Sequence, residues 1–292
     1  MAEPAISACI VCRNESDKLG ACLDSVVSWA DEVVVMDLGS SDGSAELARS
    51  KGARVVEHEP VPIVELVRNE VAAAAKGDWI LALDPDERVA PGLPAELRRL
   101  SRSDDFDAVA IPVMNYDFGY PASSPIHRFD PKIRFYRRAR VSWPTEPNEL
   151  PEIDPARLHR LPDREDLVLV HDRNRSIPEA LERAMRYAPA EAQALLDSGE
   201  VFTARKMLLR VARKARKQYV EAKAFDDGVP GILRATVLVT FHFYVWASFW
   251  QLSGAKRTPE DDRYLRRVGR VVHIVFGTAR LARGLRRRGR SG

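Results

Sequence analysis

The chain has 292 residues, 45% of them hydrophobic and 30% charged, with a formal net charge of +3. That length suits one large domain, or one domain with an appendage, and the apolar share is enough for a real core. With no low-complexity tract or internal repeat, disordered and repeat-array classes are set aside. The near balance of charge hides a split: residues 201–292 carry 21 Lys/Arg against 6 Asp/Glu, a net of +15, which leaves −12 on residues 1–200. An acidic body with a basic tail points to an anionic partner for the tail.

The first apolar run, "ISACIVC" (6–12), ends at Arg13-Asn14-Glu15 and reads as a buried parallel strand. Cys9, Cys12 and Cys22 crowd this region. Cys9-x-x-Cys12 looks like half a metal or redox motif, but no second pair follows, so the expectation is buried structural thiols in a reducing compartment. The N-terminus lacks a basic segment followed by a long apolar stretch, so no signal peptide is expected.

Residues 16–29 read as a helix capped by Ser16, with Leu19, Cys22, Leu23, Val26 and Val27 at helical spacing. "EVVVMD" (32–37) is the second strand and ends on Asp37. A Gly/Ser/Asp turn and a helix over 44–51 follow. A third strand spans 53–59, a helix covers about 64–76, and "DWILALD" (78–84) is the fourth strand. Alternation with such short connections indicates an α/β fold with a doubly wound, mostly parallel sheet. Ligands of such sheets sit beyond the carboxyl ends of the strands. Asn14, Glu15, Asp37, Asp84 and Asp86 all fall there. The run Asp84-Pro85-Asp86-Glu87 places three carboxylates in four residues, a suitable partner for a metal cation that could hold a diphosphate. Taken alone, a D-x-D ending a strand is a weak signal, and Asp86 or Glu87 could simply cap a turn.

The blocks "CIVCRNES" (9–16), "VVVMDLGSSDGS" (33–44), "VRNEVAAAAKGDWILALDPDERV" (67–89), "DPKIRFYRR" (130–138) and "LVHDRNRSIPEALERAMRYA" (169–188) occur in order over roughly the first 190 residues. Together they resemble a GT-A glycosyltransferase of the family 2 type, nearest to the branch of lipopolysaccharide-core glucosyltransferases. The resemblance implies residue roles where a block matches. Asp37 would meet the uracil or ribose of a nucleotide sugar, with UDP favoured, and Asn14 and Glu15 would line the same pocket. Arg68 and Asn69 would shape the donor pocket. Asp84 and Asp86 match the D-x-D, with Asp86 the direct ligand of Mn²⁺ or Mg²⁺ and Asp84 nearer the sugar or ribose while also in the metal set. The ion would stabilise the departing nucleoside diphosphate. His171, in the block that reads "LVH", would add a metal or phosphate contact, although a His closing an apolar run is commonly structural. Arg134 would help hold diphosphate, whereas Arg137 and Arg138 read as solvated charge.

An inverting transferase also needs a general base. The resemblance places it in "VSWPTEPNEL" (141–150), where Asn148-Glu149 stands in place of His-Glu. Glu149 is the first choice and Glu146 the second.

Beyond the matched blocks, 178–197, 203–223 and 264–290 read as helices, the last two basic and amphipathic. "ATVLVTFHFYVWASFWQLSGA" (235–255) has 21 residues without Asp, Glu, Lys or Arg, about the length of a bilayer span. His242, Gln251 and aromatics that include Phe241, Phe243, Tyr244, Trp246 and Phe249 favour a helix lying in an anionic membrane surface over a span. A homo-oligomer interface is the plainer alternative. The broad apolar faces argue against nucleic acid as a partner.

The expectation is therefore a transferase domain over 1–190 and a helical, basic extension over 191–292 that associates with membranes or forms oligomers. Such a protein would work at the cytoplasmic face of the membrane, moving a hexose from a nucleotide sugar to a lipid-linked or envelope-glycan acceptor. Two other classes compete. A sugar nucleotidyltransferase would open with a Gly-rich phosphate loop after the first strand, but Arg13-Asn14-Glu15-Ser16 stands there. A non-catalytic membrane adaptor would have little use for intact Asp84, Asp86 and Glu149.

Overall fold

The computed structural model describes residues 3–124, 128–145 and 149–288. The chain divides into two compact units, residues 1–175 and 176–292.

The first unit is the expected α/β sheet. Strands β1 (Ile6–Cys12), β2 (Glu32–Asp37), β3 (Arg54–Glu57) and β4 (Trp79–Leu83) alternate with helices α1 (Ser16–Asp24), α2 (Ser44–Ser50) and α3 (Arg68–Ala74). These four strands run parallel in the order β3-β2-β1-β4, with Cys12 level with Asp37 and Ile10 level with Leu83. The Val-, Ile- and Leu-rich segments of β1, β2 and β4 are buried on both faces, as crossover helices on both sides of a sheet require, while edge strand β3 is partly exposed. Helix α1 stops at Asp24, short of the expected residue 29; Ser25 Oγ donates to Cys22 O at 2.6 Å and the chain turns there. The expected helix over 64–76 is a 3₁₀ turn, Val64–Val67, followed by α3.

The sheet then becomes mixed. After β5 (Glu87–Val89) and α4 (Leu93–Ser101) come β6 (Ala108–Asp117), β7 (Tyr120–Pro121), β8 (Phe129–Arg137), β9 (Leu158–Arg160) and β10 (Leu169–Asn174). The order continues β4-β8-β6-β10-β5, with β8 inserted antiparallel between β4 and β6. β10 is parallel to β6 and antiparallel to β5. One core cluster joins Ile6, Ile10, Leu23, Trp79, Leu97, Ile111 and Phe135; the other face gathers Val34, Val71, Ile80, Tyr136 and Trp143. The three cysteines are buried and unbridged, as expected of structural thiols. Burial pushes the Cys9 and Cys12 thiols up to about 12.

The second unit is helical: α5 (Ile177–Asp197), α6 (Ala204–Arg216), α7 (Gly228–Leu252) and α8 (Pro259–Arg288), with a short π-helical turn after α6. Ser176 caps α5 through Glu179 N–H, and Thr203 caps α6 through Lys206 N–H. The expected first domain ran to residue 190. In the structure α5 belongs to the second unit, because Ala188 and Ala192 pack on Val245, Trp246 and Phe249 of α7. At the start of α7, Gly231 lies so close to Ala224 O that a Cβ would sit 2.2 Å from it. There Arg234 and Asp227 form a buried ion pair.

Candidate active site

Three groups of side chains collect at the carboxyl ends of the parallel strands. The first stitches two loops together. Asn14, at φ +54°, accepts through Oδ1 from Ser41 N–H at 2.8 Å and donates its own N–H to Ser40 Oγ at 2.9 Å. Glu15 N–H donates to Ser44 Oγ, and Ser16 N–H to Asp42 Oδ2. Ser16 is thus the first helical residue rather than the cap, and Asp42 of the following loop satisfies its N–H. Against the opposing effect of desolvation, these hydrogen bonds with Ser44 and Ser16 hold the Asp42 carboxyl well below the usual range. Asp37 is buried, accepting from Ser40 N–H at 3.0 Å and from the Cys12 thiol at 3.6 Å. The Glu15 side chain pairs with Lys18 at 3.0 Å. Asn14, Glu15 and Asp37 are therefore neighbours, but much of their bonding shapes the loops.

The second group is the turn after β4. Glu87 N–H donates to Asp84 O at 2.9 Å, and Asp84 N–H donates to Glu87 Oε2 at 3.0 Å, closing a tight turn. Arg134 of β8 reaches both carboxylates: it bonds Asp84 Oδ2 and donates to Glu87 Oε1 at 2.7 Å. Arg134 is 8% exposed and Glu87 0%, while the Asp84 side chain is 42% exposed. Burial raises the Glu87 carboxyl, opposed by the Arg134 charge and assisted by Asp84. Burial acts the same way on Asp84, but Arg134 outweighs it and holds that carboxyl low. A small cleft lined by Val11, Arg68, Val71, Asp84, Arg134 and Tyr136 opens here.

The third group pairs Asp86 with His171. Antiparallel pairing of β10 with β5 sets His171 level with Glu87, and Asp172 N–H donates to Asp86 O at 3.0 Å. His171 Nε2 lies 3.4 Å from Asp86 Oδ2, and Nδ1 lies 2.9 Å from Asn115 Oδ1. The neutral tautomer that donates from Nδ1 to the Asn115 amide oxygen would turn the Nε2 lone pair toward Asp86. In that tautomer two acceptors would face each other across 3.4 Å, an arrangement that a divalent cation between them would satisfy. Ligands held at about 2.1 Å in adjacent octahedral positions stand roughly 3 Å apart, so the observed spacing fits a Mg²⁺- or Mn²⁺-sized ion. The Asn115–His171 bond is the outer support such a ligand requires. Among the described residues, no group of three or more His, Cys, Asp or Glu is arranged to hold a metal. Asp84 is engaged by Arg134 instead, so Asp86 and His171 are the two side chains here placed to hold an ion.

Arg68 and Asn69 turn toward the segment that follows β8. Asn69 grips the Trp143 backbone twice, donating to its carbonyl at 2.8 Å and accepting from its N–H at 2.9 Å. The Arg68 guanidinium lies 4.4 Å from the Trp143 ring centroid. Arg68 thus lines the cleft beside Asp84, whereas Asn69 braces the chain leading to the candidate base. Glu149 is exposed, and Glu146 lies outside the described residues.

Glu87 and Asn115 matter more than the sequence reading assigned. Glu87, one of the three carboxylates of the acidic run, both closes the turn after β4 and pairs with Arg134. Asn115 is a polar interruption in the apolar run "AVAIPVMNYD", a signal that could have drawn attention. Arg134, between buried Ile133 and Phe135, is a deep ion-pair partner instead of a side chain reserved for diphosphate.

Residues 7–153 match the family described as Glycosyl transferase family 2. Among curated proteins, a TPR repeat-containing protein of Synechococcus elongatus is 36% identical over 137 residues, covering 45% of this chain and 34% of that one. The chain thus spans about a third of the length of the first curated relatives it matches. The lipopolysaccharide core biosynthesis glycosyltransferase LpsC of Rhizobium meliloti is 24% identical, over 88% of this chain and 96% of that one. Among solved structures, the mannosyltransferase PcManGT of Pyrobaculum calidifontis, in complex with GDP-Man and Mn²⁺, aligns at a TM-score of 0.44 and 15% identity, over 94% of this chain and 81% of that one.

Proposed function

The chain belongs to glycosyl transferase family 2, and on that premise we propose that it is an inverting hexosyltransferase using a nucleotide-diphosphate sugar, UDP-linked in preference. The observation that carries this reading is the Asp86–His171 pair beside the Asp84–Arg134–Glu87 cluster at the strand ends. A bound Mn²⁺ or Mg²⁺ would supply Lewis-acid stabilisation of the departing diphosphate. Asp86 and His171 hold it, and Asn115 fixes the ring orientation. Asp84, kept ionised by Arg134, accepts hydroxyls of the ribose or sugar. Asp37 and Asn14 shape the nucleoside side, and Arg68 adds positive charge to the cleft. Glu149, with Glu146 as the alternative, takes the proton of the attacking acceptor hydroxyl.

The acceptor is a lipid-linked or envelope glycan; the relative named for lipopolysaccharide core biosynthesis supports this, since the alignment runs through nearly all of it. The helical extension associates with the cytoplasmic face of an anionic membrane. In support, α7 is, by length and composition, long and apolar enough to cross a bilayer. Exposed Leu209, Val220, Phe225 and Val229 accompany exposed Arg205, Arg213 and Lys217. Because one face of α7 packs on α5, lying on the surface is favoured over spanning.

The test is turnover of UDP-sugars by the full chain with Mn²⁺ and with chelator. Release of UDP only in the presence of metal is expected. Release of pyrophosphate would instead identify a nucleotidyltransferase, and donor binding without turnover would identify a non-catalytic adaptor.

A further inference from the structure

We propose that a pocket at the carboxyl ends of β6 and β10 is a distal subsite for a glycan acceptor, holding a pyranose ring beyond the one that reacts. This rests on the transferase reading above. Tyr116, Phe118 and Gly119 form one wall, and Asp172, Asn174 and Arg175 the other.

Phe118 carries most of the argument. β6 and β7 are joined by the two-residue turn Phe118-Gly119, with Asp117 level with Tyr120. Both turn residues have positive φ, +58° and +82°. Asn-Gly or Asp-Gly normally fills such a turn, because a bulky side chain is strained at its first position. A phenyl ring here works against easy folding. Among the described residues it joins none of the four apolar core clusters. Strain of this kind collects at ligand clamps.

The opposite wall is polar and fixed. Asn174 donates through Nδ2 to Asp117 Oδ1 at 2.6 Å, and its carbonyl accepts from Phe118 N–H at 2.6 Å. Arg88 donates to Asp172 Oδ2 at 2.9 Å, and Arg175 pairs with Asp17 at 2.9 Å. Each charge in the pocket wall is therefore balanced by a partner, which disfavours a phosphate or a cation as the ligand. The amide oxygen of Asn174 and the lone pairs of Asp172 suit hydroxyl donors, and the aromatic rings suit the C–H face of a sugar.

The location makes this a second subsite. Asp172 follows His171 on β10, and its N–H is bonded to Asp86 O at 3.0 Å. Successive strand side chains alternate between faces. Asp172 and Tyr116 therefore face away from His171 and Asn115, so a ring held in the pocket sits on the other side of the strand end and belongs to a part of the acceptor chain beyond the attacking sugar.

The experiment uses the full chain, core oligosaccharide released from lipopolysaccharide by mild acid, and methyl α-glucoside as a single-ring probe. Binding is read by saturation-transfer NMR. Phe118→Gly removes the ring and relaxes the backbone, so the variant should melt no lower than wild type. It should weaken oligosaccharide binding about tenfold, the scale of one lost aromatic contact, and leave the single ring unaffected. Tyr116→Ala should weaken oligosaccharide binding in the same direction. Equal oligosaccharide binding by wild type and Phe118→Gly, or no binding by wild type, overturns the subsite. If Phe118→Gly weakens binding but wild type turns over no nucleotide sugar, the transferase reading fails and the subsite stands.

Discussion

Apart from the buried Arg234–Asp227 pair of the second unit, the two units handle much of their charge differently. In residues 1–175, Arg134 is buried between Asp84 and Glu87, Arg157 is bonded to Asp107, and Arg98 to Asp31. In residues 176–292, Arg205, Arg210, Arg213, Lys217, Arg267 and Arg270 lie exposed, interleaved with exposed Leu209, Val220, Val271 and Ile274. Charge fixed in pairs can recognise one ligand geometry. Charge spread among apolar side chains suits a surface with no fixed geometry, such as a lipid headgroup layer. The contrast teaches that a basic tail and an acidic body are different physical devices, beyond their difference in sign.

The sharpest way to break the contrast is at the pair with the most defined geometry. Asp86→Ala should reduce Mn²⁺-dependent UDP affinity by about 100-fold or more, since even outer supports of metal ligands are worth 10–100-fold. Calorimetry with and without Mn²⁺ measures it; unchanged affinity would remove Asp86 as a ligand.

Arg134→Met comes next. It strands two carboxylates, one of them fully buried, and breaking such a cluster costs about 3–5 kcal/mol. Denaturant unfolding should show that loss, and adding Glu87→Leu should recover part of it. The pH dependence has a definite sign. Because Arg134 overcomes desolvation to hold the Asp84 carboxyl low, the stability from this pairing is complete above the unfolded value and fades as pH falls through the folded one. The difference between wild type and Asp84→Asn should therefore shrink below about pH 4.

Asn69→Ala should cost about 1–3 kcal/mol by stranding the Trp143 backbone groups. If it also lowers kcat without changing UDP affinity, its work is on the base segment and not on the donor.

The tail gives the most graded effect. Each cation near an anionic surface contributes about 1 kcal/mol, and apolar burial adds a part that salt does not screen. Liposome flotation of the full chain should weaken with salt without vanishing. Failure to float on anionic vesicles at low salt would leave oligomer formation as the tail's role, and resistance to both salt and alkaline extraction would indicate a span.

Local chemistry made the first half of the fold legible. Runs such as "EVVVMD" and "DWILALD" alternate with Gly/Ser turns and short helical patterns, and each signal is complete within a dozen residues. β1, β2 and β4 therefore lie within a residue of where they were expected, and the carboxylates at their ends follow directly. What each carboxylate touches was not legible, because the partners come from far along the chain. Inserting β8 beside β4 delivers Arg134 to Asp84 across fifty positions. Pairing β10 with β5 brings His171 to Asp86, and Asn69 meets Trp143 across 74 positions. The sequence by itself determined the strand-and-helix order, the acidic strand ends and the basic extension, because propensity, turn chemistry and charge are local. Only the tertiary structure decided that Asp84 faces an arginine while Asp86 faces a histidine, and that α5 packs with the helices after it. Those outcomes depend on strand order and helix packing, which are set by the burial of apolar faces distant in sequence and leave no local mark.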